Sequence, residues 1–222
     1  MSGSRVYGQN CGLARALDVL GERWTLLVIR ELNMGPRRYK DLVETLPGMG
    51  TNLLAARLKT LEAAKVIRPV LLPPPASVRA YELTEFGKQL RPMLAQLAVW
   101  GLQLDVPDDD DAESRASWTL LPMVATADPV KIGSLDAIVE LRVGAEVMWI
   151  KADSNGLDLA SGAAVITPDL VVETDVPTFI ALSEGSISPA QAIKDNSVTV
   201  RGDRKLLTRF FRVFRLPRRQ DA

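Results

Sequence analysis

The sequence predicts two α+β domains joined by an acidic segment, and three observations predict it. Between Arg23 and Ile67, runs of helical periodicity are separated by turn signals and followed by two short β-type runs. At Asp105 to Arg115, DVPDDDDAESR, the chain turns acidic and loses nearly all apolar residues. Beyond that segment, strand-like alternation and helical stripes take turns.

In chain order, Tyr39, Leu42, Val43 and Leu46 give an apolar stripe at i, i+3, i+4, i+7 that stops at Pro47-Gly48. Gly48 and Gly50 frame a tight connection. The next helix is expected to start at Thr51, a suitable N-cap, with Leu54, Leu58 and Leu61 on its inner face. Thr51, Asn52, Ala55, Ala56 and Lys59 then look outward, small or able to exchange hydrogen bonds with base edges in a major groove. Ile67–Leu72 and Val78–Leu83 flank Pro73-Pro74-Pro75-Ala76-Ser77, which suits a two-stranded wing with a stiff tip and Arg79 beside it. This is a winged helix-turn-helix pattern. Its DNA-contacting candidates are Arg37, Arg38, Thr51, Asn52, Ala55, Arg57, Lys59, Ser77 and Arg79. A helix from about Glu85 to Leu104 follows, with Leu90, Met93, Leu94, Leu97 and Trp100 making an apolar surface wider than a small domain needs, as a dimer interface would be.

Charge sharpens the division. The whole chain is neutral, but Met1 to Leu104 carries 14 Lys+Arg against 8 Asp+Glu, a net of +6, leaving −6 for the rest. A basic first half can neutralise phosphates. The expected limits are 1–104 for the first domain, 105–115 for a solvated linker and 116–222 for the second domain. The acidic run lacks the spacing and the terminal glutamate of a calcium loop.

In the second domain Leu135–Val143, Val147–Lys151, Leu157–Leu159 after the Asn155-Gly156 turn, Leu170–Val172 and Val198–Val200 read as strands of an antiparallel sheet. Helices are expected over Val176–Ser183, Pro189–Lys194 and Asp203–Arg215. In the last of these, Leu206, Phe210 and Val213 form one stripe and Leu207, Phe211 and Phe214 an adjacent one. One stripe can seal the sheet; the other must meet a partner surface or line a ligand pocket, structural core being the plain alternative.

The absence of histidine removes the commonest general base and metal ligand, and there is no Walker loop, G-x-S-x-G elbow or CxxC pair. No enzyme, cofactor or metal site is expected. The single cysteine, Cys11, rules out an internal disulfide; no apolar run is long enough to span a membrane and no signal-peptide pattern is visible at Met1 to Arg5, so a cytoplasmic protein is the expectation.

Cys11, Arg23-Trp24-Thr25, Arg30-Glu31-Leu32, Gly35 to Tyr39, Leu58 to Glu62, Tyr81 to Lys88 and Trp100-Gly101 together resemble the HxlR-type winged helix-turn-helix regulators over residues 5 to 104. The resemblance implies double-stranded operator DNA as partner and a homodimer formed by the N-terminal helix and the helix after the wing. It also implies a further reading, since some such regulators sense oxidants or electrophiles through an N-terminal cysteine, although a lone cysteine is more often an inert small hydrophobe. Pro168 to Asp175, Phe179 to Gly185, Ala190 to Ile193 and Val198 to Asp203 resemble the end of a sterol-carrier-protein-like domain over about 116 to 216. That resemblance implies a five-stranded sheet and helices around an apolar tunnel, with Trp118, Met123, Met148, Trp149, Phe179, Phe210, Phe211 and Phe214 as generic lining candidates. Three functions stay open: a regulator answering to an apolar small molecule, a thiol sensor, and a constitutive DNA-binding module with a structural second domain.

Overall fold

The computed structural model describes residues 6–74, 77–105 and 112–216, so most of the acidic segment and part of the wing tip, Pro75-Ala76, lie outside the described residues. The chain divides into two compact units, Met1–Arg91 and Pro92–Ala222.

The first unit contains α1 (Gly12–Leu20), α2 (Thr25–Leu32), β1 (Arg37–Arg38), α3 (Tyr39–Thr45), α4 (Thr51–Ala63), β2 (Ile67–Leu71), β3 (Arg79–Leu83) and α5 (Glu85–Lys88). Its core is the meeting of Val28, Ile29 and Leu32 from α2, Leu42 from α3 and Leu54, Leu58 and Leu61 from α4, all buried. Between α3 and α4 the chain reverses through Gly48, whose left-handed backbone at φ 81° disfavours any side chain. Thr51 is the first helical residue rather than the N-cap. Gly50 holds the cap position without a side-chain bond, and the start of α4 is instead tied down by the Tyr39 hydroxyl, which donates to the Thr51 carbonyl at 2.7 Å.

Strands β2 and β3 pair antiparallel as the wing, and β1 adds a third, outer strand in the order β1-β3-β2. Only two residues long, β1 carries no periodicity to betray it. The single helix expected from Glu85 to Leu104 is two: α5, capped by the Thr84 hydroxyl accepting from the Gly87 amide, and α6 (Arg91–Gly101), which straddles the division between the units. Pro92 sits in the first turn of α6, where its missing N–H costs nothing; deeper in a continuous helix it would have broken the ladder.

The second unit adds α7 (Ala116–Thr126), α8 (Pro129–Leu135), β4 (Ala137–Val143), β5 (Glu146–Asp153), β6 (Gly156–Ser161), β7 (Leu170–Thr174), α9 (Val176–Glu184), α10 (Pro189–Lys194), β8 (Val198–Gly202) and α11 (Arg204–Val213). All five expected strands are present, though the first begins at Ala137 because Leu135 closes α8. The sheet, ordered β6-β5-β4-β7-β8, is mixed and not antiparallel: β7 returns beside β4 and pairs parallel with it, Val139 opposite Leu170 and Leu141 opposite Val172.

Strand alternation gives this sheet two unlike faces. Val139, Leu141 and Val143 of β4, Met148 and Ile150 of β5 and Leu170 and Val172 of β7 are fully buried on one. The other carries Ile138, Glu140 and Arg142 with Trp149 and Lys151. On it Glu140 is buried, paired with Arg142 at 2.7 Å and accepting from the Ala164 amide at 2.9 Å, which ties the β6–β7 connection across the sheet. Among the described residues no helix is long and apolar enough to cross a membrane.

Candidate nucleic-acid interface and ligand interior

Helix α4 presents its sides as the sequence anticipates. Leu54, Leu58 and Leu61 are buried, and Thr51, Asn52, Ala55, Ala56 and Lys59 are exposed. Asn52, Ala55, Ala56 and Lys59 follow one another at i, i+3, i+4, i+7 and so share one face.

Arg57 does not join them. It lies on the far side of α4, beside the buried leucines, with its side chain 16% exposed and its guanidinium on the Glu22 carboxylate at 2.8 Å. Arg57, a DNA-contacting candidate in the sequence, thus sits at i+3 from Leu54 and i−4 from Leu61, on the inner side of α4 and away from the face of Asn52 and Lys59.

The remaining basic candidates sit on the wing sheet. Arg37 and Arg38 form β1, opposite Tyr81 and Ala80 of β3. The half-buried Arg37 donates to the Glu31 carbonyl at 3.3 Å. Arg38 caps α3 and grips the Asp41 carboxylate, Nε at 2.9 Å and Nη2 at 2.6 Å from Oδ1. That hydrogen bond raises the Arg38 pKa and holds the Asp41 carboxyl below the usual carboxylate range. A phosphate approaching Arg38 must therefore share it with Asp41. At the wing tip Ser77 is exposed in a left-handed conformation at φ 42°, and the exposed Arg79 lays its guanidinium 5.6 Å from the ring centroid of Tyr81. In the sequence Tyr81 is legible as the i+2 neighbour of Arg79 on a strand, and Asp41 as the i+3 partner of Arg38.

Cys11 stands at the N-cap of α1, exposed rather than buried as an inert hydrophobe would be. Its thiol is pulled below the usual value by the Ala14 and Leu13 backbone amides, as expected of sulfur at a helix N-terminus.

In the second unit, four of the eight lining candidates meet one another and two more are buried. Phe210 and Phe211 stand edge to face at 5.2 Å, Phe214 packs on Phe210 at 4.9 Å and Phe179 meets Phe211 at 5.9 Å. These four rings are buried, as are Met123 and Met148. Both stripes of the last helix are thus covered by the chain itself: α11 lies against β7 with α8 and α10 also in contact, so one stripe need not await an outside partner.

Trp149 and Trp118 do not belong to that interior. Trp149 alternates with Met148 and so falls on the opposite face of the sheet, across from Glu140. Trp118 lies on the other side of α7 from Ala116, Leu120 and Met123, half-exposed under the Arg115 guanidinium at 5.7 Å. Among the described residues no cluster of acidic or cysteine side chains could hold a metal ion.

Known proteins match two separate stretches of the chain. Residues 19–108 match the HxlR-like helix-turn-helix model and residues 124–215 the SCP-2 sterol transfer family. The HTH-type transcriptional regulator YodB of Bacillus subtilis is 36% identical over 100 residues, which cover 45% of this chain and 89% of that protein. YvaP of the same organism, an uncharacterised HTH-type transcriptional regulator, is 32% identical over 89 residues, 40% of this chain and 82% of its own. The solved structure of the reduced form of YodB superposes with a TM-score of 0.39 at 34% identity, covering 46% of this chain and 100% of that one. Sterol Carrier Protein 2 from Yarrowia lipolytica superposes with a TM-score of 0.35 at 16% identity, covering 39% of this chain and 72% of that one. With a helix-turn-helix and wing in place, and with most of a 36%-identical regulator spanned, the chain belongs to the HxlR-like helix-turn-helix family of transcriptional regulators and carries an SCP-2 sterol transfer domain behind the DNA-binding one.

Proposed function

We propose that the chain binds a pseudo-palindromic operator as a homodimer and that its second domain takes up an apolar small molecule which modulates that binding. The observation that carries the DNA part is the outward face of α4: small or hydrogen-bonding residues, Thr51, Asn52, Ala55 and Lys59, over a fully buried leucine stripe. Ser77 and Arg79 on the wing, with Arg37 and Arg38, supply phosphate contacts. The dimer rests on exposed apolar side chains, Leu13 and Leu17 on α1 and Met93, Leu97 and Trp100 on α6, which a second copy would cover. On this reading the DNA-binding and dimerisation domain is 1–104 and the ligand-binding domain 116–222.

The effector reading rests on the four clustered rings, on the buried Met123 and Met148 and on the SCP-2 match. For coupling, the ligand must bind the DNA-competent and incompetent arrangements unequally, and allosteric energies of about 1–3 kcal/mol would change operator affinity roughly 5- to 150-fold.

The test is a duplex selected from random-sequence DNA by the full-length chain. Asn52→Ala should lose about 1–3 kcal/mol of discrimination at one base pair if the amide makes a bidentate contact. Arg37→Ala with Arg38→Ala should weaken all sequences and flatten the salt dependence. Equal losses on selected and random DNA for Asn52→Ala would remove α4 from base reading, and sedimentation of the same protein as a monomer would remove the dimer.

A second reading is favoured by Cys11, whose exposed, acidified thiol is placed to react with an oxidant or electrophile. On that reading the second domain is structural.

A further inference from the structure

Helix α4 is held from behind by the turn between α1 and α2. Glu22 lies in that turn, 35 residues before Arg57, and its carboxylate meets the Arg57 guanidinium at 2.8 Å. The Arg57 side chain is mostly buried, yet its Nε is a buried donor with no hydrogen-bond partner. A methionine would fill the same space without that desolvation cost. What the arginine adds is a directional tie to Glu22. Two residues further on, Trp24 is held left-handed at φ 77° and carries its ring toward the reversal before α4, where a Cβ on Gly48 would stand 3.7 Å from Trp24 Cη2. The one turn therefore reaches both the reversal that leads into the recognition helix and the middle of that helix.

We propose that Glu22 and Arg57 form a positioning pair that fixes the recognition helix against the α1–α2 turn, so that α1 and the DNA-reading face move as one piece. The pair touches no DNA itself, since Arg57 lies opposite Asn52 and Lys59 on the helix. Glu22 is 57% exposed, and an ion pair of that exposure contributes little to stability. Its effect falls on orientation. In a dimer whose contact includes α1, the separation of the two recognition helices depends on this pair. The inference rests on the reading that α4 enters DNA.

The experiment measures affinity for the selected duplex across a salt series, with melting of the unbound protein as control. The proteins are full-length wild type, Glu22→Ala, Arg57→Met and the double exchange Glu22→Arg with Arg57→Glu. Each single change should weaken binding about three- to tenfold, in keeping with couplings between contacting residues. The salt slope should stay at the wild-type value, because no phosphate contact is lost. The double exchange should recover affinity to within about twofold. A slope reduced by about one in Arg57→Met, with no recovery in the double exchange, would make Arg57 a phosphate ligand and overturn the proposal. So would wild-type affinity in both single variants, or losses that merely follow the unfolded fraction. If the wild-type chain enriches no duplex at all, the DNA-binding reading falls first and the pair's role with it.

Discussion

At the scale of single residues, Cys11 is an exposed thiol at a helix end and Arg57 an arginine tied back to Glu22. Two backbone amides at the start of α1 lower the Cys11 pKa, and the residue is exposed. If the thiol senses, peroxide or a quinone should release DNA from the wild-type chain and leave the Cys11→Ser complex intact; release from both, or from neither, assigns Cys11 no regulatory part. Cys11 could be singled out in the sequence only as a position, because exposure and amide donors belong to the folded helix end. Arg57 was legible in principle. Its spacing of three residues after Leu54 and four before Leu61 puts it beside a stripe the sequence already shows. The direction of Asn52 and Lys59, by contrast, follows from helical period alone.

At the scale of elements, two changes in the second domain discriminate its faces. Phe210→Ala removes a ring buried among Phe211 and Phe214 and should destabilise the domain by about 3–5 kcal/mol. Trp149→Ala, on the outer face of the sheet, should cost clearly less, both read by denaturant unfolding; equal costs would show that the two faces are equally packed. Across that outer face, burial pushes the Glu140 carboxyl up, but the Ala164 amide and Arg142 more than offset this and hold it below its ordinary value. A lowered folded-state pKa means that the stabilisation is complete above the ordinary glutamate range, near pH 4.3, and disappears as pH falls through the folded value. The stability gap between wild type and Glu140→Gln should therefore be largest near neutrality, on the order of 1–3 kcal/mol for a charged hydrogen bond, and should shrink on acidification below about pH 4. A gap independent of pH would mean that the charge is not what anchors the loop. Strands were readable because alternation survives in short runs. Helix α7 was not, since ASWTLLPMVAT is apolar almost all round and carries an internal Pro122. The parallel pairing of β4 with β7 was not readable either, because a strand's sequence does not state its neighbour.

At the scale of the whole chain, a basic first half and an acidic second half divide the labour between phosphate attraction and another task. If that task is holding an apolar effector, a fluorescent fatty acyl probe should bind the full-length protein and alter its affinity for the selected duplex. A probe that binds without altering that affinity would leave the second domain a carrier uncoupled from DNA, and a probe that does not bind would make it a scaffold. The placement of β4 at the centre of its sheet has a kinetic consequence. Its antiparallel partner β5 follows after a short turn, whereas its other neighbour, β7, arrives only after β6 and a long connection, and the rings of α11 that cover β7 arrive later still. Loop-closure entropy delays such non-local pairing, while the mostly local helices of the first unit need no comparable search. During synthesis from the N-terminus, the DNA-binding unit can therefore collapse while the second remains an open β4–β6 meander with an unpaired edge at β4, exposed to pairing with other nascent chains until β7 closes over it.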